Sequence, residues 1–340
     1  MRSIILFSLL LTLVAFSGCI STPEESSKGE KSMKIIDMAG REIIIPSKVE
    51  RVVVLNSETM SLMKALKVEA KVVGASAWAF KNPLIPKIYK MDEIQNVGTA
   101  SKPNVEAIIS LKPDLVITYY CGKSEQYAYE TPAEDVKKLE EAGIPVIGIC
   151  VAVTRKADIE EYDQHIRLIG KIFGKENEAE KLVSYLGELR SNLSKMLEKV
   201  DRKVKVVYSW SEQNRISGNS TITHTIIELA GGINIGRNIS QPYATVNPEF
   251  IVESDPDVWI IWRSAKYGPD DIIGNPAYSK IKAVKERRVY KEPGILFSSW
   301  EPIIAHLSIY WHAKKYYPDL PFDFEEIQKD VFKKFYGVIT

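Results

Sequence analysis

Short apolar runs alternate with amphipathic segments along the first half of the chain. Runs rich in Val and Ile, typical of buried strands, occur at residues 51–55, 72–74, 115–118 and 146–149. Helix-like patterns accompany them at residues 59–67, 105–111 and 133–142. Because strands that alternate with helices favour a parallel sheet covered by helices, we expect residues 34–175 to form an α/β lobe.

A different pattern begins at residue 176. Apolar residues recur at three- and four-residue spacing from 176 to 200 without an intervening Pro, which predicts one long amphipathic helix. Strand-like runs then resume at residues 204–208, 258–262 and 289–291. The chain is therefore predicted to be an α/β protein of two Rossmann-like lobes with parallel sheets. Residues 176–200 bridge the lobes, and the second lobe, at 201–340, ends in closing helices.

Two segments in the predicted lobes echo each other. The segments that begin at Asn104 and Asn247 carry Asn, Glu, Pro and Asp at identical offsets. Each is predicted to begin a helix with an Asn cap and an early Glu, Glu106 or Glu249, which complements the helix dipole. Each then turns at Pro-Asp into a buried parallel strand. This succession indicates two related lobes.

The N-terminus carries the features of an export signal. Arg2 precedes an apolar run at 4–16, which is too short to span a bilayer, and small residues then lead to Cys19. Residues 1–18 are predicted to be a signal peptide and Cys19 to be acylated, as in a lipobox. Ordinary cleavage near Gly18, with Cys19 unmodified, is the alternative. The polar stretch 19–33 is predicted to be a flexible tether to the outer face of the cytoplasmic membrane.

Charge and motifs exclude several functions. The net charge is +1, with Lys and Arg interspersed among Asp and Glu, so no nucleic-acid partner is expected. The sequence contains no P-loop, G-x-S-x-G or HExxH motif, so no enzyme is predicted. His306 and His312 are six residues apart on a predicted helix and point in different directions, so no metal site is predicted. Export permits a disulfide between Cys121 and Cys150, but the sequence leaves their pairing open.

Large aromatic side chains cluster near the ends of the predicted strands. In parallel α/β sheets ligands bind beyond the carboxyl ends of the strands. The candidate ligand-binding residues are Trp78, Tyr119, Tyr120, Trp210, Tyr243, Trp262, Arg263 and Trp300. Aromatic walls suit a large, flat or apolar ligand, and the planar charge of Arg263 suits an anionic one.

Several segments together resemble the class III substrate-binding proteins of iron-siderophore, haem and cobalamin ABC importers. The matching segments lie at residues 37–46, 51–55, 103–117, 275–278, 283–290 and 302–316, in the order of that family. The resemblance implies two lobes bridged by a rigid helix, with a ligand bound in the cleft between them.

The resemblance also implies partners and a cargo. A monomer with no cofactor of its own would dock on the permease homodimer of an ABC importer with its ATPase, and Glu106 and Glu249 would meet basic residues on the two permease subunits. The expected cargo is a metal chelate of the ferric siderophore type. A corrinoid, a haem, or a ligand sensor that signals instead of delivering remain the alternatives.

Overall fold

The structure is a computed structural model that describes residues 32–122, 129–150, 158–296, 298 and 300–338. The predicted signal peptide, Cys19 and most of the predicted tether lie outside these residues. Within them, no helix is both long enough and apolar enough to cross a membrane.

An antiparallel hairpin and a five-stranded parallel sheet form the first lobe. The hairpin strands are β1 (Ser32–Ile36) and β2 (Glu42–Pro46). The strands that follow are β3 (Arg51–Val54), β4 (Lys71–Ala75), β5 (Gln95–Asn96), β6 (Gly98–Thr99), β7 (Lys102–Pro103), β8 (Leu115–Tyr119) and β9 (Val146–Ile149). The sheet order is β5-β4-β3-β8-β9, and β6 and β7 form a separate pair. Every residue of β9 is buried, as expected for a strand covered on both faces.

Five of the described α-helices belong to this lobe. They are α1 (Ser57–Ala65), α2 (Ile85–Ile88), α3 (Val105–Ser110), α4 (Ala133–Glu141) and α5 (Glu160–Ile172). The long helix α6 (Glu176–Leu197) follows and buries one face, which includes Leu182, Leu186 and Leu193. It begins at the predicted residue and ends three residues earlier than predicted.

The second lobe is built on a six-stranded sheet. Its strands are β10 (Lys205–Ser209), β11 (Arg215–Ser217), β12 (Ile233–Asn234), β13 (Tyr243–Thr245), β14 (Val258–Ile261) and β15 (Val289–Lys291). Its helices are α7 (Ile222–Leu229), α8 (Pro248–Ser254), α9 (Pro269–Ile273), α10 (Lys282–Lys285), α11 (Pro302–Tyr316) and α12 (Phe324–Tyr336). The order is β13-β11-β10-β14-β15, with β12 beside the start of β10.

This second sheet is mixed, where parallel strands were predicted. Strands β10, β12, β14 and β15 run parallel, but β11 is antiparallel to β10, and β13 is antiparallel to β11. Residues 210–214 alone connect β10 to β11. A parallel crossover needs a dozen or more residues, so this connection can only turn the chain back on itself.

The two echoed segments have equivalent places in the two sheets. Each leads through a helix, α3 or α8, into a central strand, β8 or β14. Asp114 Oδ2 accepts a hydrogen bond from the Arg51 backbone N–H at 2.8 Å, and Asp257 Oδ2 accepts one from Lys205 at 2.8 Å. Each aspartate of the Pro-Asp turn thus holds the start of the neighbouring strand. Only Asn104 caps its helix with its side chain; Asn247 occupies the N-cap position without that bond.

Two further contacts hold the molecule together. Cys121 and Cys150, which follow the adjacent strands β8 and β9, form a disulfide with a Cα–Cα distance of 4.9 Å. This resolves the pairing that the sequence left open. The last helix, α12, packs against both α11 and α1, so it returns to the first lobe and adds a second connection between the lobes.

Candidate functional site

A cleft lies between the lobes at the carboxyl ends of the strands of both sheets. It encloses a cavity of about 960 Å³ and is lined by residues that follow β3, β10, β14 and β15 and by residues that end β8. A volume of this size suits a ligand of several hundred daltons. A smaller hollow of about 420 Å³, lined by residues of α6, α11 and the α12 region, contains none of the predicted site residues.

The second lobe contributes an aromatic wall. The ring centroid of Trp210 lies 4.9 Å from Tyr243, 5.8 Å from Trp262 and 4.8 Å from Tyr208. Such edge and tilted contacts hold each ring in one orientation and keep a broad apolar surface facing the cavity. The buried indole nitrogen of Trp210 has no hydrogen-bond partner among the described residues.

The opposite side of the cleft is formed where the lobes touch. Trp300 packs edge-on against Tyr119 at 6.1 Å and against Tyr129 at 5.6 Å between ring centroids. Glu58, buried in the first turn of α1, accepts hydrogen bonds from the Tyr119 hydroxyl at 2.7 Å and from the Ser298 hydroxyl at 2.9 Å. These contacts link the first lobe to the segment that follows β15.

Three cationic side chains line the cavity. Lys81 comes from the first lobe, and Arg215 and Arg263 come from the second. Each lies within 6 Å of an aromatic ring: Lys81 over Trp78 at 5.4 Å, Arg215 over Tyr243 at 5.6 Å, and Arg263 over Trp262 at 5.9 Å. Cation–π contacts restrain long side chains and leave their N–H groups available. Glu58 and Glu292 are the carboxylates of the cleft, so cations outnumber them in the described lining.

A buried polar cluster forms the floor of the cleft in the second lobe. The Tyr208 hydroxyl donates to Glu292 Oε2 at 2.7 Å, and His312 Nε2 lies 3.6 Å from Glu292 Oε1. Burial raises the pKa of Glu292 to about 7 and lowers the pKa of His312 to about 4. His312 is therefore a neutral imidazole near neutral pH.

The structure brings together seven of the eight predicted ligand-binding residues. Those that line the cavity are Trp78, Tyr119, Trp210, Tyr243, Trp262, Arg263 and Trp300. Trp78 is 59% exposed and lies at the rim. Tyr120 is not among the lining residues; it packs under Arg41, whose guanidinium lies 4.5 Å from the ring centroid. Tyr119 and Tyr120 are consecutive in an extended segment, so their side chains point to opposite faces.

Most of the titratable side chains that line the cleft were not predicted from the sequence. The unpredicted residues are Glu58, Lys81, Arg215, Glu292 and His312. Glu292 directly follows β15, so the strand-end rule that selected the aromatic residues would also have found it. Arg215 lies in a three-residue strand and Lys81 in a single 3₁₀ turn, and neither element has a recognisable periodicity.

The two glutamates predicted to dock on a permease lie outside the cleft. Glu106 and Glu249 are exposed in the first turns of α3 and α8. Neither forms an ion pair within the described ranges. The same part of the chain contains no group of three or more His, Cys, Asp or Glu side chains able to hold a metal ion.

The fold and cleft define a class of protein, and comparison with known proteins identifies it. A model of the periplasmic binding protein family matches residues 52–295, so the chain belongs to that family. It is a class III substrate-binding protein that serves the permease and ATPase of an ABC importer, and it is not an enzyme.

Three relatives show how far the similarity extends. The molybdate-binding protein MolA of Haemophilus influenzae is 25% identical, covering 89% of this chain and 90% of that protein. Its molybdate-bound structure has the same fold, with a TM-score of 0.75 over 91% of this chain and 99% of that one. An uncharacterised ABC transporter substrate-binding lipoprotein, YvrC of Bacillus subtilis, is 26% identical over 92% and 96% of the two chains. The Fe(3+)-citrate-binding protein YfmC of Bacillus subtilis is 25% identical over 83% and 86%.

Proposed function

We propose that this protein binds an anionic metal chelate, of the ferric siderophore type, in the inter-lobe cleft and delivers it to an importer permease. The observation that carries the proposal is the combination of three cations, Lys81, Arg215 and Arg263, with aromatic walls in one cavity. Arg can bind carboxylate or catecholate oxygens with two N–H groups, while aromatic rings cover the apolar surface of a chelate. The YfmC relative, named for ferric citrate, supports this choice.

Cleft size weighs against a bare oxyanion as the cargo. Molybdate, the ligand of the MolA relative, is a small tetrahedral anion, whereas the cavity here measures about 960 Å³. A chelate fills such a space and uses both aromatic walls. A corrinoid or haem would also fill it, so both belong in the test.

The proposal includes an anchor and a docking surface. Acylation of Cys19 would hold the protein at the outer face of the membrane, and the YvrC relative is itself named a lipoprotein. Glu106 and Glu249 would contact the two permease subunits. A ligand sensor that binds the same cargo but signals instead of delivering it would not make the contact between these two glutamates and a permease.

The cargo is tested by a binding panel read out by quenching of tryptophan fluorescence. The panel contains an anionic ferric tris-catecholate, ferric citrate, a neutral ferric tris-hydroxamate, haem, cyanocobalamin and molybdate. We expect Arg215→Gln with Arg263→Gln to weaken tris-catecholate binding by about 1–3 kcal/mol, since both groups lie in the cleft. The affinity for neutral ligands should fall by less.

The matched control is Arg237→Gln, which removes an exposed guanidinium of the same lobe that does not line the cleft. Its affinities should equal those of the wild type. Selective binding of cyanocobalamin or haem, unaffected by the double arginine variant, would replace the chelate proposal. Mass spectrometry of protein purified from its native host identifies the ligand independently.

A further inference from the structure

The floor of the cleft contains a buried polar cluster in which two hydrogen-bond acceptors lie close together without a proton between them. Glu292 is 8% exposed and His312 is 1% exposed, and both line the cavity. His312 Nδ1 lies 2.8 Å from the backbone oxygen of Ser308, which makes Nδ1 the protonated nitrogen. The unprotonated Nε2 therefore points its lone pair at Glu292 Oε1, 3.6 Å away. Two acceptors face each other, and Nε2 has no hydrogen-bond partner among the described residues.

The other groups around Glu292 divide into those that favour its charge and those that do not. Arg263, from the segment after β14, favours the ionised carboxylate through its charge and its backbone N–H. From β10, the Tyr208 hydroxyl donates to Oε2, and this bond also favours the ionised carboxylate. From α11, Tyr316 lies close enough to interact electrostatically, and its buried hydroxyl has no hydrogen-bond partner among the described residues. Tyr243, from β13, interacts with Tyr208.

A ligand anion changes this balance. Without a ligand anion, Arg263 is the cation whose charge favours the ionised Glu292 carboxylate. An anionic group of a chelate that binds Arg263 places a second negative charge beside a buried carboxylate. Two like charges in a desolvated site disfavour each other strongly, and one of them is neutralised by a proton. A ferric tris-catecholate keeps all its donor oxygens deprotonated near neutral pH, so of the two anions Glu292 is the one that takes up the proton.

We propose that Glu292 is a specificity-determining residue that sets the ligand charge accepted by the cleft, by taking up one proton from solvent when an anion binds at Arg263. The proton goes to Glu292 Oε1, which then donates to His312 Nε2 as their 3.6 Å separation shortens to hydrogen-bond distance, while Tyr208 keeps its bond to Oε2. With Glu292 ionised, the cleft favours neutral cargo at this position. With Glu292 protonated, it favours anionic cargo. The inference rests on the proposed function only in taking an anionic chelate as the ligand that binds Arg263.

The first measurement needs no ligand. The carboxyl group of protonated Glu292 has an infrared carbonyl band distinct from that of a carboxylate. Because burial raises the pKa of Glu292 to about 7, this band should disappear from wild-type protein as the pH rises through 7. The difference between wild type and Glu292→Gln isolates it from other carboxyls. Replacement of the acceptor in His312→Phe should move the midpoint to lower pH. A midpoint below pH 5 in the wild type, or no shift in His312→Phe, would overturn the inference.

The second measurement uses two probes of constant charge, an anionic ferric tris-catecholate and a neutral ferric tris-hydroxamate, between pH 6 and 9. For the wild type, the Kd of the anionic probe should rise by up to about tenfold per pH unit above pH 7, the slope of one linked proton. Calorimetry in buffers of different ionisation enthalpy should show uptake of one proton. In Glu292→Gln both effects should vanish and anion binding should stay tight at every pH.

Glu301→Gln is the matched control. Glu301 is also fully buried with a pKa raised by burial to about 7, but it caps α11 outside the cavity lining. Its variant should keep the wild-type pH dependence of anion binding. Anion binding with the same slope in Glu292→Gln would overturn the inference and leave the proposed function standing. Failure of every chelate to bind would contradict the proposed function, whereas an infrared midpoint below pH 5 would overturn the inference alone.

Discussion

Burial keeps three histidine side chains neutral in the folded protein. Desolvation lowers the pKa of His165 and His306 to about 3 and that of His312 to about 4. His306 lies between the Arg190 guanidinium and the backbone oxygen of Pro302, at 2.6 Å from each, so its neutral form is fully hydrogen-bonded. Charging it would place a second cation beside Arg190.

These groups predict how stability depends on pH. Between pH 4.5 and 6.5 the unfolded chain protonates the three histidines and the folded chain does not, which lowers stability as the pH falls. Glu292 and Glu301, with pKa values raised by burial to about 7, bind protons in the folded state over the same range and oppose this trend. With three histidines protonated only in the unfolded state and two glutamates protonated only in the folded state, the unfolded state binds one more proton. The free energy of unfolding should therefore fall by about 1.4 kcal/mol per pH unit below 6.5. It should also fall slightly as the pH rises through 7, where the loss of protons from the two folded-state glutamates outweighs the remaining titration of the unfolded-state histidines.

Urea unfolding from pH 4.5 to 8 measures this profile. We expect a maximum near pH 6.5. In Glu301→Gln one opposing carboxyl is gone, so the slope between pH 4.5 and 6.5 should approach that of two protons. A free energy of unfolding that rises as the pH falls from 6.5 to 4.5 would show that the histidines are charged in the folded state, because only the two glutamates would then contribute.

At the residue scale, the sequence located the aromatic side chains of the cleft better than its charged side chains. Tyr119 ends a strand, and Trp210 and Trp262 directly follow strands, whose apolar runs are clear in the sequence, so these strand ends could be located from the pattern. Arg215 and Lys81 lie in elements of three residues, and nothing local shows that they converge. Their meeting depends on how the two lobes pack, which only the three-dimensional structure supplies.

Among the elements, strands and helices with a clear period were predicted well and short connections were not. Strands β8 and β9 were located because nearly all of their residues are apolar and buried. Strands β11 and β13 have three residues each, and their antiparallel pairing follows from the short turn after β10. The sequence also left open whether β8 and β9 are joined by a disulfide, since strand order is a property of the sheet.

The disulfide should contribute measurably to stability. Cys121 and Cys150 are separated by 29 positions in the chain, and cross-linking a loop of that length lowers the entropy of the unfolded chain. The chain-entropy model gives about 3–4 kcal/mol. Reductant should therefore lower the urea midpoint of the wild type. It should not affect the double variant Cys121→Ser with Cys150→Ser, which is the control. Equal midpoints with and without reductant would mean that the bond does not form.

At the scale of the whole molecule, the pseudo-symmetry of the lobes bears on docking. Glu106 and Glu249 occupy equivalent positions at the starts of α3 and α8, and both are exposed. A two-fold permease offers identical surfaces to one binding protein, so equivalent charges on the two lobes suit it. If these residues act only at their helix N-termini, each contributes about 0.3–1 kcal/mol to stability and nothing to transport.

The double variant Glu106→Ala with Glu249→Ala separates the two roles. Under docking, uptake into vesicles that contain the importer should fall sharply, while chelate affinity and Tm stay near their wild-type values. The control is Glu176→Ala with Glu325→Ala, which removes exposed first-turn glutamates from α6 and α12. Its uptake should be normal. Uptake that survives in the first double variant would assign both residues to their helices alone.

The return of α12 to the first lobe has a consequence for the order of events during synthesis. Helix α1 emerges from the ribosome early and packs against α2 and α5, but it also packs against the last helix described, Phe324–Tyr336. Until α12 has been synthesised, the apolar surface of α1 that it covers is exposed to solvent or bound by a chaperone. The first lobe therefore cannot complete its packing until residues 324–336 have been synthesised, which is later than its N-terminal position alone would suggest.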